Sequence, residues 1–330
     1  RRFGHQMAFC GNLDVLTWAN GTLDELKTMV LTKMNAAKGG GYIVQSDHSV
    51  TIGGRKIRYK ATAGTILFRD EDDKPTASIF YIAYTREEVK DLTRRPITFC
   101  FNGGPGSSSI WLHMGAYGPR RVVTANASPT GGAPYQLVDN QYSLLDKTDM
   151  VFIDPVGTGF SHAVGKAKDK DFWGVDEDVH SLAKFIVNYI TRNDRWNSPK
   201  FLIGESYGTT RSEALVNVLQ NQGLEFNGVI LLSQILNFSL FIDEPSTDPG
   251  IDLPYQLALP SYAATAWYHD RLPGPKPAEL EPFLQEVERF AMDPEGGPQK
   301  AFDEITAPRF TLDGKEGVTK PQFRNQRTRY

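Results

Sequence analysis

Apolar residues occur in this chain as short runs that alternate with longer segments of helical spacing. Four runs have the length and the β-branched or aromatic content of buried strands. They are residues 97–101, 150–154, 201–204 and 229–232. Apolar positions between 175 and 189 instead recur at the spacing of one helix face, with acidic residues at 176–178 where a helix dipole favours them. This alternation predicts a mostly parallel sheet with helices on both faces.

A different pattern precedes these core strands. From His48 onward, apolar and polar residues alternate with a period of two, and the pair Gly53-Gly54 interrupts the alternation. Such a pair between alternating segments is typical of a β-hairpin. Residues 65–68 and 77–84 continue the strand pattern, and the polar segment 70–74 lies between them as a turn. Antiparallel strands are therefore predicted ahead of the parallel ones.

These patterns predict four regions. They are a divergent amino-terminal segment (1–47), an α/β core (48–233), a cap-like helical region (234–295) and a divergent or disordered tail (296–330). A short amphipathic helix over 23–34 and a linker over 37–41 are predicted in the first, and helices over 253–272 and 278–292 in the third. The aromatic residues of the cap, Tyr262, Trp267 and Tyr268, are interpreted as core, with a pocket lining as the alternative.

Composition narrows the class of protein. The 330 residues are 40% hydrophobic, which is enough for a sizeable core. A net charge of -3 argues against a nucleic-acid partner. The sequence has no run of eighteen apolar residues, so no membrane span is predicted. No signal peptide is visible at the start. Two cysteines are too few for a disulfide framework. No His, Cys or Asp cluster has the spacing of metal ligands, so no metal is expected. No cofactor is expected either.

The most informative motif is GESYG at residues 204–208. An apolar strand precedes it and a helical pattern follows it, which is the context of a nucleophile elbow. In such a turn the serine, here Ser206, has a strained backbone and an exposed hydroxyl, while glycines allow the strand and the helix to approach each other. The motif predicts nucleophilic catalysis by Ser206.

A second motif, FNGGPGSSS at residues 101–109, follows another short strand. A glycine-rich loop after an early strand supplies a backbone N–H to the oxyanion hole of α/β-hydrolases. A tight turn is the plainer alternative. A phosphate-binding loop is excluded because no Lys-Ser/Thr pair closes the motif.

Together with DPVGTGFS at residues 154–161, these motifs resemble those of the serine carboxypeptidase family, peptidase family S10. The similarity covers about residues 48–275 and is greatest to the family's bacterial-type members. The family's usual carboxyl-terminal part is not recognised in this sequence. The resemblance implies an α/β-hydrolase fold, with a mostly parallel sheet, antiparallel amino-terminal strands and a helical cap insertion. It also implies a secreted or periplasmic location.

The resemblance also implies roles for individual residues. Ser206 matches the family's nucleophile, and Gly104 and Tyr207 match the residues whose N–H groups form the oxyanion hole. The implied activity is release of carboxyl-terminal residues from peptides through an acyl-enzyme. The partner is therefore a peptide with a free carboxylate, and the sequence does not indicate the oligomeric state.

Asn102, Gly103 and Glu205 match the group that binds the substrate's terminal carboxylate. Two carboxyl groups in contact cannot both stay ionised cheaply, so a shared proton and an acidic activity optimum are expected. Cys100 stands where the family usually has a tryptophan, which alters the wall of this subsite.

The acid and the base of a Ser-His-Asp triad are not identified. His269, the only histidine after Ser206, falls in the predicted cap and is interpreted as a packed or solvent-facing residue. An alternative places Asp14 and His5 in these roles through a rearranged chain, but an ordinary capping segment is the favoured interpretation. Asp154 is interpreted as bracing a loop, and His113, on a predicted helix, as structural.

Two classes of function remain open. The first is an acyl-transfer enzyme, either a serine carboxypeptidase or an esterase or acyltransferase relative with the same elbow. The second is a catalytically incomplete or truncated family member that acts as a binding protein.

Overall fold

A computed structural model describes residues 9–10, 42–124, 131–240 and 253–293. The chain divides into two compact units, with the boundary after Gln234. The predicted helix over 23–34, the linker over 37–41, the tail over 296–330 and the candidate residues His5 and Asp14 lie outside the described residues.

The first unit contains one mixed sheet and a small two-stranded sheet in its described part. The strands of the mixed sheet are β1 (Phe9–Cys10), β2 (Tyr42–Ile52), β3 (Arg55–Arg69), β4 (Pro75–Arg86), β5 (Ile97–Phe101), β8 (Asp149–Ile153), β9 (His162–Ala163), β10 (Lys200–Glu205) and β11 (Gly228–Leu232). The small sheet pairs β6 (Arg120–Val122) with β7 (Leu137–Asp139).

The strand order of the mixed sheet is β1-β2-β3-β4-β8-β5-β10-β11, with β9 paired to β4. The pairs β2/β3, β3/β4 and β4/β8 are antiparallel, whereas β8, β5, β10 and β11 are parallel neighbours. Antiparallel strands thus lead into a parallel part whose carboxyl ends lie at one edge of the sheet. This topology, with an elbow after β10, confirms the predicted α/β-hydrolase fold.

Helices cover the parallel strands. The longer helices of this unit are α1 (Val175–Arg192) and α2 (Tyr207–Asn221), and shorter ones are a π-helix (Trp111–Tyr117) and 3₁₀ turns at Leu92–Arg94, Leu144–Asp146 and Asp169–Phe172. The apolar face of α1 packs on one side of the sheet, where Tyr189 meets Phe99 edge to face at 5.8 Å. Cys100 points to the other side, into a second cluster with Met150 and Phe152. Every residue of β5 is buried because both faces of the sheet are covered.

A buried charged cluster joins the amino ends of the parallel strands. Asp149 accepts hydrogen bonds from Arg95 Nε at 3.0 Å and Arg195 Nη1 at 2.7 Å. The Arg86 backbone N–H also donates to this carboxylate, at 2.9 Å. The strands are thereby held at the end of the sheet opposite the motifs, which lie at their carboxyl ends.

The first long strand begins earlier than predicted. The alternation of the sequence predicts its start at His48, whereas β2 begins at Tyr42. Residues 43–47 pair with 60–64 of β3, a strand of 15 residues. Such a long partner extends the backbone ladder over Gln45, Ser46 and Asp47, whose side chains contribute no apolar pattern.

The described part of the second unit contains a 3₁₀ turn (Phe238–Leu240) and two helices, α3 (Leu253–Tyr268) and α4 (Leu280–Met292). Helix α3 ends four residues before its predicted end. Asp270 there has a left-handed backbone, φ 53°, and its carboxylate accepts a hydrogen bond from Lys276 Nζ at 2.7 Å. Tyr262 and Tyr268 are exposed, so their interpretation as core is wrong. The cap role of this region stays a prediction.

Candidate active site

The elbow after β10 has the geometry that its motif predicts. Ser206 adopts φ 58° and ψ -124°, which confirms the predicted strain. Its backbone N–H donates to Leu232 O at 2.9 Å, and its carbonyl accepts from Thr209 N at 2.9 Å. A Cβ atom on Gly204 would lie 2.1 Å from Gly208 O, so only glycine allows the helix to pass this close to the strand. The result is a half-buried serine at the tip of a rigid turn.

The glycine loop packs directly against this turn. A Cβ atom on Gly103 would lie 2.4 Å from Tyr207 N and 2.6 Å from Glu205 O. Gly104 has φ +107°, a backbone conformation that glycine adopts at little cost. The predicted oxyanion-hole residues, Gly104 and Tyr207, therefore belong to two backbone segments in contact. Their assignment as N–H donors stays a prediction.

Two of the predicted carboxylate-binding residues form a hydrogen bond. Asn102 Nδ2 donates to Glu205 Oε2 at 2.9 Å. The other end of the same amide is also held, because Leu112 N donates to Asn102 Oδ1 at 3.1 Å. Asn102 is buried, whereas Glu205 and Ser206 are half-buried. An amide and a carboxyl group are thus fixed next to Ser206, the predicted nucleophile.

Asp154 braces the glycine loop from the next strand. Its carboxylate accepts a hydrogen bond from Ser109 N at 2.9 Å and another from Phe160 N at 3.3 Å. Burial raises the pKa of Asp154, while these two backbone donors lower it in part. The loop-bracing interpretation of Asp154 is confirmed.

Cys100 does not form part of an open wall. Its side chain is fully buried, and burial raises the pKa of its thiol, so the neutral form dominates near neutral pH. The position that carries tryptophan in the family is therefore occupied here by a small buried group.

Sequence reasoning missed a buried ion pair behind the elbow. Arg211 on α2 pairs with Asp178 on α1 at 2.7 Å, and both are buried. A signal was present in the helical pattern. Arg211 lies four residues from both Tyr207 and Leu215 on the buried face of α2, where a charged residue is unexpected.

The four histidines described in the first unit each have a partner other than Ser206. The pairs are His48 with Ser46, His113 with Tyr84, His162 with the Phe160 carbonyl and His180 with the Asp176 carbonyl. No hydrogen bond joins any of these four rings to Ser206, so we expect no general base among them. His269 is exposed in the second unit, and His5 lies outside the described residues.

The interpretation of His113 as structural is supported by its surroundings. Its ring is buried in the π-helix, and Nε2 lies 2.6 Å from the Tyr84 hydroxyl. Burial lowers the pKa of His113 to about 4 and raises that of Tyr84. The pair is neutral near pH 7.

Acidification from pH 6.5 to 4 is expected to destabilise the folded chain through His113. An unfolded histidine titrates near pH 6.5, whereas the folded pKa is about 4. The unfolded state takes up the proton first, so the free energy of unfolding falls by up to about 3 kcal/mol across this window. Urea unfolding of the wild type and of His113→Gln at several pH values measures the effect, because the variant lacks it.

His180→Gln is the control, since this ring is exposed on α1. The raised pKa values of Asp154 and Asp178 act in the opposite direction, because the folded state then takes up a proton first. Their contribution cancels in the comparison with the variant. Equal pH slopes for wild type and His113→Gln would contradict the prediction.

The described residues contain neither a cluster of metal ligands nor a helix that could span a membrane. No three His, Cys, Asp or Glu side chains within these ranges come together as a set of metal ligands. Of the helices described, none combines the length and apolar content needed to cross a membrane.

Comparison with known proteins places these motifs in one family. A family model for serine carboxypeptidases, peptidase family S10, matches residues 55–295. Serine carboxypeptidase-like 29 of Arabidopsis thaliana is 29% identical over 172 residues, which is 50% of this chain and 33% of that protein. The pheromone-processing carboxypeptidase KEX1 of Saccharomyces cerevisiae is 31% identical over 170 residues, or 48% of this chain and 22% of that protein.

A structure of the same yeast enzyme, a prohormone-processing carboxypeptidase, aligns with a TM-score of 0.44 and 22% identity. The alignment covers 75% of this chain and 52% of that chain. The chain therefore spans about a fifth to a half of the length of these relatives. Because the family model covers most of the chain, including the elbow and the glycine loop, the chain belongs to the serine carboxypeptidase family, peptidase family S10.

Proposed function

We propose that this protein is a serine carboxypeptidase that releases the carboxyl-terminal residue of a peptide through an acyl-enzyme on Ser206. Membership of the family supports the class of reaction. Asn102, Gly103 and Glu205 are proposed to bind the free carboxylate of the substrate. A secreted or periplasmic location stays a prediction from the family resemblance.

One observation carries the proposal. The hydrogen bond of 2.9 Å between Asn102 and Glu205 joins an amide to a carboxyl group directly beside the nucleophile. A substrate carboxylate needs donors, and an amide N–H and a protonated carboxyl group are both donors. Two carboxyl groups in contact share a proton more easily than they both stay ionised, so hydrolysis is expected to be fastest at acidic pH.

The proposed reaction begins with attack of the Ser206 hydroxyl oxygen on the last peptide carbonyl, while a general base accepts the hydroxyl proton. The negative charge that develops on the carbonyl oxygen is stabilised by the N–H groups of Gly104 and Tyr207. The C–N bond then breaks, and the released amine takes the proton. Water hydrolyses the remaining ester and frees Ser206.

Blocking the substrate's carboxylate is expected to abolish most of the activity. A peptide with a free carboxyl end should be hydrolysed about a hundredfold faster or more than the same peptide with an amidated end. An amidated end would leave the buried Asn102 and the half-buried Glu205 poorly paired. The measurement compares kcat/KM for the two peptides. Asn102→Leu, which removes the amide donor, should reduce the difference.

Other outcomes identify the alternatives. Equal hydrolysis of both peptides would contradict the exopeptidase and favour a general esterase. Binding of the free-acid peptide without any reaction of Ser206 with a fluorophosphonate would favour a binding protein. The control is Asn197→Leu, because the Asn197 side chain is exposed and lies outside the site.

A further inference from the structure

Arg211 is a buried cation directly behind the elbow. It lies five residues after Ser206 on α2, and its side chain is 2% exposed. Its guanidinium makes two hydrogen bonds in different directions, from Nε to Asp178 Oδ2 and from Nη1 to the carbonyl of Asn102, both at 2.7 Å. One side chain thus connects α1, α2 and the start of the glycine loop.

The same guanidinium also lies against two aromatic rings. Its carbon is 5.1 Å from the ring centre of Tyr207 and 5.4 Å from that of Phe101. Both distances are within the range of cation–π attraction. Tyr207 is the residue whose backbone N–H is proposed for the oxyanion hole, and Phe101 precedes Asn102.

Burial of this ion pair does not by itself imply a stabilising role. Removing two charges from water costs free energy that their attraction often fails to recover, and apolar replacements of buried pairs are frequently neutral or stabilising. The cost is visible at Asp178, where burial raises the pKa and Arg211 lowers it only in part.

The contacts of Arg211 converge on the residues proposed to bind substrate. Its bond to the Asn102 carbonyl fixes the peptide group from which the glycine loop departs. The Asn102 side chain then reaches Glu205 on the other side of the elbow. A displacement of about 1 Å in such a group can cost about a hundredfold in rate.

We propose that Arg211, oriented by Asp178, is a positioning residue that fixes Asn102 relative to Glu205 and Tyr207 and thereby sets recognition of the substrate carboxylate. This inference rests on the proposed function. Arg211 is not placed in contact with substrate, because both of its hydrogen-bonded partners are protein groups.

The test replaces the ion pair by apolar residues of similar size, in the double variant Asp178→Leu/Arg211→Met. All proteins compared, including the wild-type reference, carry Ser206→Ala so that the peptide is bound without being hydrolysed. Calorimetry then measures the Kd of an N-acetylated dipeptide with a free carboxylate and the Kd of its amide. The binding ratio, defined as the Kd of the amide divided by the Kd of the free acid, is expected to fall by about 10- to 100-fold in the variant. The urea midpoint is expected to change little, because the variant removes the desolvation cost of the two charges and also loses the hydrogen bond to the Asn102 carbonyl. A residue with only a structural role would leave the binding ratio unchanged.

The matched control is Arg120→Met, which breaks an exposed pair with Asp139 and should keep the wild-type ratio. If the double variant does not fold, Arg211→Lys is used, because lysine cannot donate to Asp178 and Asn102 in the fork geometry of arginine. A wild-type ratio in either folded variant would overturn the inference. If the wild type itself does not distinguish the acid from the amide, the proposed function fails instead.

Discussion

Replacing Ser206 with alanine is expected to abolish covalent labelling by a fluorophosphonate. Hydrolysis of a free-carboxylate peptide should fall by about a thousandfold or more, because only binding and oxyanion stabilisation remain without the nucleophile. The strained backbone of Ser206, with φ 58°, holds its hydroxyl at the tip of the turn. Alanine is expected to keep this turn and to remove only the hydroxyl. Mass spectrometry of the elbow peptide measures the label, and steady-state kinetics measures the rate.

Ser46→Ala is the control for this variant, because Ser46 is exposed on β2. It should be labelled as fast as the wild type. Labelling that persists in Ser206→Ala would identify a different nucleophile. A wild type that binds the peptide and is never labelled would favour a family member that has lost its catalytic base.

A methyl group on Gly103 is expected to impair both the activity and the stability of the protein. The added Cβ would lie 2.4, 2.6 and 2.7 Å from Tyr207 N, Glu205 O and Gly208 N, which are all backbone atoms and cannot rotate away. The glycine loop must then move from the elbow by several tenths of an ångström or more. We expect Gly103→Ala to lower kcat/KM by about a hundredfold and to destabilise the fold by about 1–3 kcal/mol.

Gly115→Ala is the matched control, since nothing lies within 4 Å of a Cβ atom at that position in the π-helix. It should retain the wild-type activity and urea midpoint. If Gly103→Ala also retained both, the close contact between loop and elbow would not be required for catalysis.

Both ends of all four predicted core strands were correct to within one residue. The run predicted over 97–101 is β5, and the run over 201–204 is β10 with one residue added at each end. Prediction succeeds there because a strand that is buried on both faces requires a continuous apolar run. The elbow was predictable for a similar local reason, since a strand and a helix that approach this closely require glycine at 204.

Other elements left no such local signal. The pair β6/β7 joins residues 120–122 to 137–139, and its strands of three residues are too short for a periodic pattern. The start of β2 at Tyr42 is decided by the ladder with β3. In both cases the backbone pairs with a segment that is distant in sequence. Backbone pairing of this kind does not require a periodic pattern of apolar side chains.

The sequence by itself determined the α/β order, the elbow at Ser206 and the glycine loop that packs against it, because each depends on neighbouring residues. Only the tertiary structure decided that Asn102 bonds to Glu205 across 103 residues and that Arg211 connects Asp178 to the same loop. A buried charge or amide is stable only if a partner lies within hydrogen-bond distance, and the partner's identity depends on how the strands and helices pack. The local pattern therefore specifies the elements, and their packing specifies the site.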